Sequence, residues 1–216
     1  MSSHPLLILG GGLMGLAVAH QLARRGRQVT VLSRRRSEAA GFVAAGMLAP
    51  HAEGLSGTQL RFGQISLERV PGWVAQIEAD SGLPCGLRSS GIVVPFRDAT
   101  ERDQYPTAAW GQALNRAHLE RELPGLAQQW STGLLFAQDG QIDNRRLLMR
   151  ALESACADRG VRFQEGLEVL ALEQDGKHLQ GARVRNAEGT EYTLNCSGAV
   201  LCGGAWSARL LPALPV

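Results

Sequence analysis

At the start of the chain a short apolar run, Leu6 to Leu9, breaks at Gly10, Gly11 and Gly12 and passes directly into a stretch with helical periodicity. No other feature limits the fold as much. A continuous apolar run of this kind suits a strand buried on both faces of a parallel sheet. Leu16, Ala19, Leu22 and Ala23 then recur at helical spacing, Arg24 and Arg25 suit the last turn, and Gly26 supplies a stop. Gln28 to Leu32 reads as a second strand, which completes a βαβ unit.

Gly10, Gly12 and Gly15 satisfy G-x-G-x-x-G at the join of strand and helix. In a dinucleotide fold the first glycine permits the tight turn, the second lets a pyrophosphate approach the backbone, and the third lets helix and strand pack closely. The pyrophosphate then rests on the helix N-terminus, where free N–H groups and the dipole favour negative charge. An acidic residue normally ends the second strand and accepts hydrogen bonds from the adenosine ribose. Here Ser33 stands in its place, followed by Arg34, Arg35 and Arg36. A serine accepts weakly, and the arginines could hold a 2′-phosphate, so the local pattern leaves FAD and NADP both open.

A chain of 216 residues with 44% apolar side chains can bury a sizeable core in one domain or two small ones. The net charge of +2 is too mild to indicate a nucleic-acid or anionic-membrane partner. Cys85, Cys156, Cys196 and Cys202 are scattered, with no histidine at zinc-ligand spacing, so core thiols are expected and no metal site is indicated. The N-terminus lacks a basic n-region, and no apolar stretch reaches the ~20 residues that span a bilayer. The expected location is the cytoplasm.

Further along, Ala39 to Leu55 reads as a loop with room for a short helix, and Leu60 to Asp80 as a helix kinked or broken at Pro71 and Gly72. Gly91 to Phe96 reads as a strand, Ala117 to Leu123 as a short helix, and Asn144 to Arg159 as a helix capped by Asp143. Val161–Gln164, Leu167–Glu173, Leu179–Arg185 and Glu191–Asn195 read as a meander of hairpins. A last buried strand, Ala199 to Cys202, leads into Gly203 and Gly204 and a helix from Trp206.

Four longer blocks carry a resemblance. Gly10, Gly12, Gly15, Ala19, Leu22, Gly26, Val29 and Val31 together fit the long FAD-binding fingerprint of glutathione-reductase and amine-oxidase flavoproteins. "GFVAAGMLAPHAEG", Gly41 to Gly54, and "GAVLCGGAWSARLL", from Gly198, resemble the D-amino-acid oxidase family, most closely its glycine oxidases of thiamine biosynthesis. "DGQIDNRRLLMRAL" resembles the approach to that family's next cofactor-domain helix. The resemblance favours FAD over NADP.

It implies an α/β chain: a Rossmann-like FAD-binding domain of the glutathione-reductase/amine-oxidase type over residues 1–80 and 140–216, and part of an inserted, incomplete α+β substrate domain over 81–139. The implied cofactor contacts are Gly10, Gly12, Leu13, Met14, Gly15, Ser33, Arg34, Ala44, Ala45, Gly46, Met47, Val169, Gly203, Gly204 and Trp206. Met47, His51 and Glu53 would stand near flavin and substrate.

The implied reaction is oxidation of glycine or another small amino acid or amine to the imine, with O2 giving H2O2. An amino-acid dehydrogenase, a demethylating oxidase and a non-catalytic FAD- or NADP-binding fragment are the alternatives. Hydride transfer from the α-carbon needs orientation more than a strong base, so His51 and Glu53 are not expected to act as one. The arginine that would clamp a substrate carboxylate is expected beyond the given sequence, with a homo-oligomer or a missing C-terminal half as the implied partner. Arg61 and Arg88 are the candidates for that clamp within it.

Overall fold

The computed structural model describes residues 4–142, 145–176 and 178–211. In chain order the elements are β1 (Leu6–Leu9), α1 (Leu13–Arg24), β2 (Val29–Ser33), β3 (Met47–Leu48), α2 (Gly57–Ser81), β4 (Leu87–Arg88), β5 (Ile92–Phe96) and α3 (Ala99–Asp103). Next come β6 (Gln112–Asn115), α4 (Arg116–Glu122), β7 (Thr132–Phe136), β8 (Gly140–Ile142), α5 (Arg145–Asp158) and β9 (Arg162–Glu165). The last are β10 (Glu168–Asp175), β11 (His178–Arg185), β12 (Glu191–Asn195), β13 (Gly198–Leu201) and α6 (Ser207–Leu210).

Two compact units result. The first comprises Met1–Ala44, Ile77–Cys85 and Arg145–Val216, and the second Ala45–Gln76 and Gly86–Asn144. Residues 45–76, expected with the cofactor domain, therefore pack in the second unit.

The first unit is built on a parallel sheet of order β13-β1-β2-β9. Alternation along β1 and β2 sends side chains to two covers. Ile8, Val29 and Val31 meet Ala19 of α1 and Cys156 of α5 on one face. Leu7, Leu9 and Leu32 meet Leu167, Ala182, Val184 and Cys196 of the β10-β11-β12 meander and its flanks on the other. A sheet covered on both faces needs apolar strands, and β1 is apolar throughout while β2 carries Val29, Val31 and Leu32 around a buried Thr30. Helix α1 stops in a Schellman arrangement: Gly26 N–H donates to Ala23 and Arg27 N–H to Leu22, with Gly26 at φ +73°.

In the second unit β7 lies between β5 and β6, and β8 between β3 and β4, all antiparallel. Phe96, Leu134 and Phe136 form its core with Tyr105 and Ala108. Asn115 caps α4 by accepting from His118 N–H.

Three expectations need correction. The segment at 161–164 does not open the meander. Its residues form β9, which pairs in parallel with β2, because α5 precedes it and returns the chain as a crossover. Gly166, at φ +81°, then turns the chain into β10. The second correction concerns α2, which runs unbroken through Pro71. An interior proline costs about 3 kcal/mol, whereas burying Val74 and Ile77 completely returns about 1.5–3 kcal/mol each, so packing outweighs the lost N–H. The third is the 39–55 loop, which, besides one short 3-10 turn at Ala40–Phe42, contains the strand β3. The cap proposed at Asp143 lies outside the described residues.

The thiols are core groups: Cys85, Cys156 and Cys196 are buried and free. Burial pushes Cys156 up to about 12 and Cys85 to about 11. Among the described residues no helix is long and apolar enough to cross a membrane.

Candidate cofactor site

The three loop glycines have different physical causes. Gly10 adopts φ +125°, and a Cβ there would run into the carbonyl of Cys202 at the end of β13. At Gly15 a Cβ would collide with the carbonyl of Gly10, so this position lets α1 seat against the turn. Gly12 differs from both. Its backbone is extended (φ −81°), it caps α1, and a Cβ there would meet only Ala39 at 3.6 Å. Protein packing does not demand glycine at 12. The space before its amide, at the positive end of a helix with no acidic residue in its first turn, fits a pyrophosphate.

Around this loop the first unit collects most of the expected contacts. Leu13 is half-buried and Met14 exposed at the start of α1. Ser33 ends β2 beside Gly11, whose Cβ would lie 3.2 Å from that of Ser33. Arg34 is exposed, 3.3 Å from Glu38, and its guanidinium stands 5.8 Å from the ring centre of Trp206. Trp206 itself is 55% exposed and also carries Arg209 at 4.5 Å. Gly203 follows β13, and Gly204, at φ +55°, has open space around it. Val169 pairs with Val184 next to a bulge in β10, and its side chain packs on the meander-side core. Ala44 is exposed.

The remaining expected residues belong to the second unit. Ala45 and Met47 are exposed. Gly46 is glycine for a local reason: at φ +86° a Cβ would strike the carbonyl of Ile142, and Ile142 N–H donates to Gly46 at 2.8 Å. Glu53 is exposed on the loop. His51 is buried. It is 3% exposed, stacked on Phe136 and tilted against Trp110, with Nδ1–H donating to Asp139 at 2.6 Å and Nε2 accepting from Gln64 at 3.1 Å. Asp139 is fully buried and also accepts Ala52 N–H at 2.7 Å. Both ring nitrogens are engaged, so His51 holds the loop and is not placed to move a proton. Arg61 is exposed, and Arg88 borders a cleft of about 70 Å³ with Leu48, Leu67 and Gln138.

Sequence reasoning missed Asp139 and Gln64, which carry no motif and become partners of His51 only through β8 and α2. Among the three arginines it singled out Arg34. Arg36, not Arg34, lies on the glycine loop: its Cγ would be 2.8 Å from a Cβ on Gly11, and it pairs with Glu153 at 2.7 Å and Glu165 at 3.4 Å.

The family described as FAD dependent oxidoreductase, DAO, matches residues 6–216. The chain belongs to this family. It is 38% identical over 214 residues to a bifunctional protein ThiO/ThiG of Synechocystis sp., covering 98% of this chain and 31% of that protein. It is 26% identical over 275 residues to a D-amino acid dehydrogenase of Methylobacterium nodulans, covering 98% of this chain and 64% of the relative. The glycine oxidase structure of Geobacillus kaustophilus superposes with a TM-score of 0.82 at 26% identity, covering 96% of this chain and 57% of that one. The chain thus spans about a third to two thirds of the length of these relatives. The fold is the family's Rossmann-like FAD-binding fold, and FAD is the family's cofactor. The open face at Gly12 fits the pyrophosphate of FAD.

Proposed function

We propose that this chain forms the FAD-holding part of an enzyme that oxidises glycine or another small amino acid to its imine. The observation that carries the reading is the loop at Gly12, a helix N-terminus left open where packing asks for no glycine, in a chain similar along 98% of its length to ThiO/ThiG. Bound FAD supplies a two-electron acceptor for the hydride of the substrate α-carbon. The residues of the chain do the positioning. Gly12 and the first N–H groups of α1 hold the pyrophosphate, and Gly203 and Gly204 leave room for backbone approach. In the second unit, His51 and Asp139 hold the loop that carries Met47.

Reoxidation by O2 to give H2O2, use of the imine in thiazole synthesis and a cytoplasmic location are the finer parts of this proposal. They rest on the resemblance to glycine oxidases. The division of labour is proposed likewise: the first unit holds the cofactor and the second faces the substrate. A dehydrogenase that passes electrons to a carrier is the second reading, favoured by the similarity to the Methylobacterium protein.

The test is the visible spectrum of the purified chain after incubation with FAD, then anaerobic titration with small amino acids. A bound oxidised-flavin spectrum that glycine bleaches supports the proposal. Retention of NADPH without flavin would overturn it. Oxygen uptake during turnover separates oxidase from dehydrogenase.

A further inference from the structure

The end of β2 poses a physical problem: a ribose needs an acceptor there, and Ser33 provides a poor one. The neighbouring strand carries a better one. In the parallel register of β2 and β9, Ser33 lies opposite Glu165, and adjacent strands run about 4.8 Å apart. Two further bonds lock the strand ends together, from Gly166 N–H to Arg34 O and from Leu167 N–H to Ser33 O, both 3.2 Å.

The Glu165 carboxylate is held but not consumed. Its Oε1 accepts Arg36 N–H at 3.0 Å, its Oε2 lies 3.4 Å from Arg36 Nε, and the side chain remains 47% exposed. Arg36 in turn crosses Gly11 with its aliphatic stem, rests on the Phe163 ring at 4.8 Å, and reaches Glu153. Arg34 and Arg35 turn away to Glu38.

We propose that Glu165, positioned by Arg36, accepts the adenosine ribose hydroxyls in place of the acid absent at Ser33. A carboxylate brings about four lone-pair sites, of which the Arg36 backbone N–H uses one, so acceptor capacity remains for hydroxyl donors. The same arrangement selects against a 2′-phosphate. Such a group would meet two carboxylates, Glu153 and Glu165, around a single guanidinium, and like charges repel. The inference rests on FAD as the bound dinucleotide.

The experiment compares dissociation constants for FAD and for its 2′-deoxyadenosine analogue, read from flavin fluorescence, in the parent chain and in Glu165→Gln. The parent binds FAD about tenfold more tightly than the deoxy analogue, the worth of a good hydrogen bond to a charged acceptor. Glu165→Gln loses about tenfold for FAD and discriminates less than about twofold between the two. Ser33→Glu combined with Glu165→Gln restores both affinity and discrimination. If Glu165→Gln does not fold, Glu165→Asp, one methylene shorter, gives the same loss of discrimination. Undiminished discrimination in a folded Glu165 variant overturns the inference and leaves the FAD reading standing. A parent chain that binds no FAD overturns both.

Discussion

His51 and Asp139, 88 residues apart in sequence, meet across 2.6 Å inside the second unit, where the carboxylate also receives Ala52 N–H. The loop after β3 is thereby tied to the turn before β8. Asp139→Asn leaves an amide whose NH2 must face one of these two donors, so one hydrogen bond is lost and two donors oppose each other. The expected cost is about 2–3 kcal/mol in a urea titration, in line with a buried bond to a charged group. A loss under about 0.5 kcal/mol, the range of a neutral surface substitution, would contradict the role assigned to the pair.

The loop glycines separate stability from binding. Gly12→Val places a branched side chain where the pyrophosphate rests, so FAD retention falls by about 100-fold or more while the melting temperature shifts by less than about 4 °C. Gly15→Ala lowers the melting temperature even without FAD, because its Cβ collides with the Gly10 carbonyl. Thermal melts of the two apo variants decide it. Equal destabilisation would mean that Gly12, too, is a packing glycine.

Asp80 makes the acid stability of the first unit predictable. The Arg159 hydrogen bonds hold its carboxyl down to about 2, with help from His20 and against the opposing effect of burial. The folded value lies below the unfolded one near 3.8. This contribution is therefore fully present above about pH 4 and drains away as the pH falls through the window toward 2. Asp80→Asn removes it. Urea midpoints of parent and variant should differ most at neutral pH and converge as the pH approaches about 2, and a difference independent of pH would refute the assignment.

Pro71 is exposed in the interior of α2 and contributes little burial. Pro71→Ala should restore an intrahelical N–H and stabilise the protein by about 1–3 kcal/mol, recovering part of the usual cost of an interior proline. A rise in the urea midpoint at unchanged slope is the expected result. A fall would show that the ring packs or directs α2 in a way its exposure does not reveal.

Residues 6–33 were legible because every signal in them is local: apolar strand, glycine turn, helical period, Gly26 stop and second strand lie in one unbroken stretch. The strand before Gly203 was legible for the same reason. In the second unit β3, β4, β6, β7 and β8 were not read. They are short, and their apolar residues are completed by partners distant in sequence, as Leu134 is by Phe96. Gly46 and His51 were singled out for a flavin, and their protein partners, Ile142 and Asp139, could not be named from the sequence.

By itself the sequence determined the βαβ unit with its glycine turn and, through the resemblance of whole blocks, the family and its cofactor. These follow from steric and hydrogen-bonding demands that neighbouring residues make on each other. Only the tertiary structure decided that β9 joins β2 in parallel and that Arg36 is the arginine on the glycine loop. Glu165 faces Ser33 for the same reason: strand pairing brings together side chains 132 positions apart, and which residues meet depends on register, which no local pattern records.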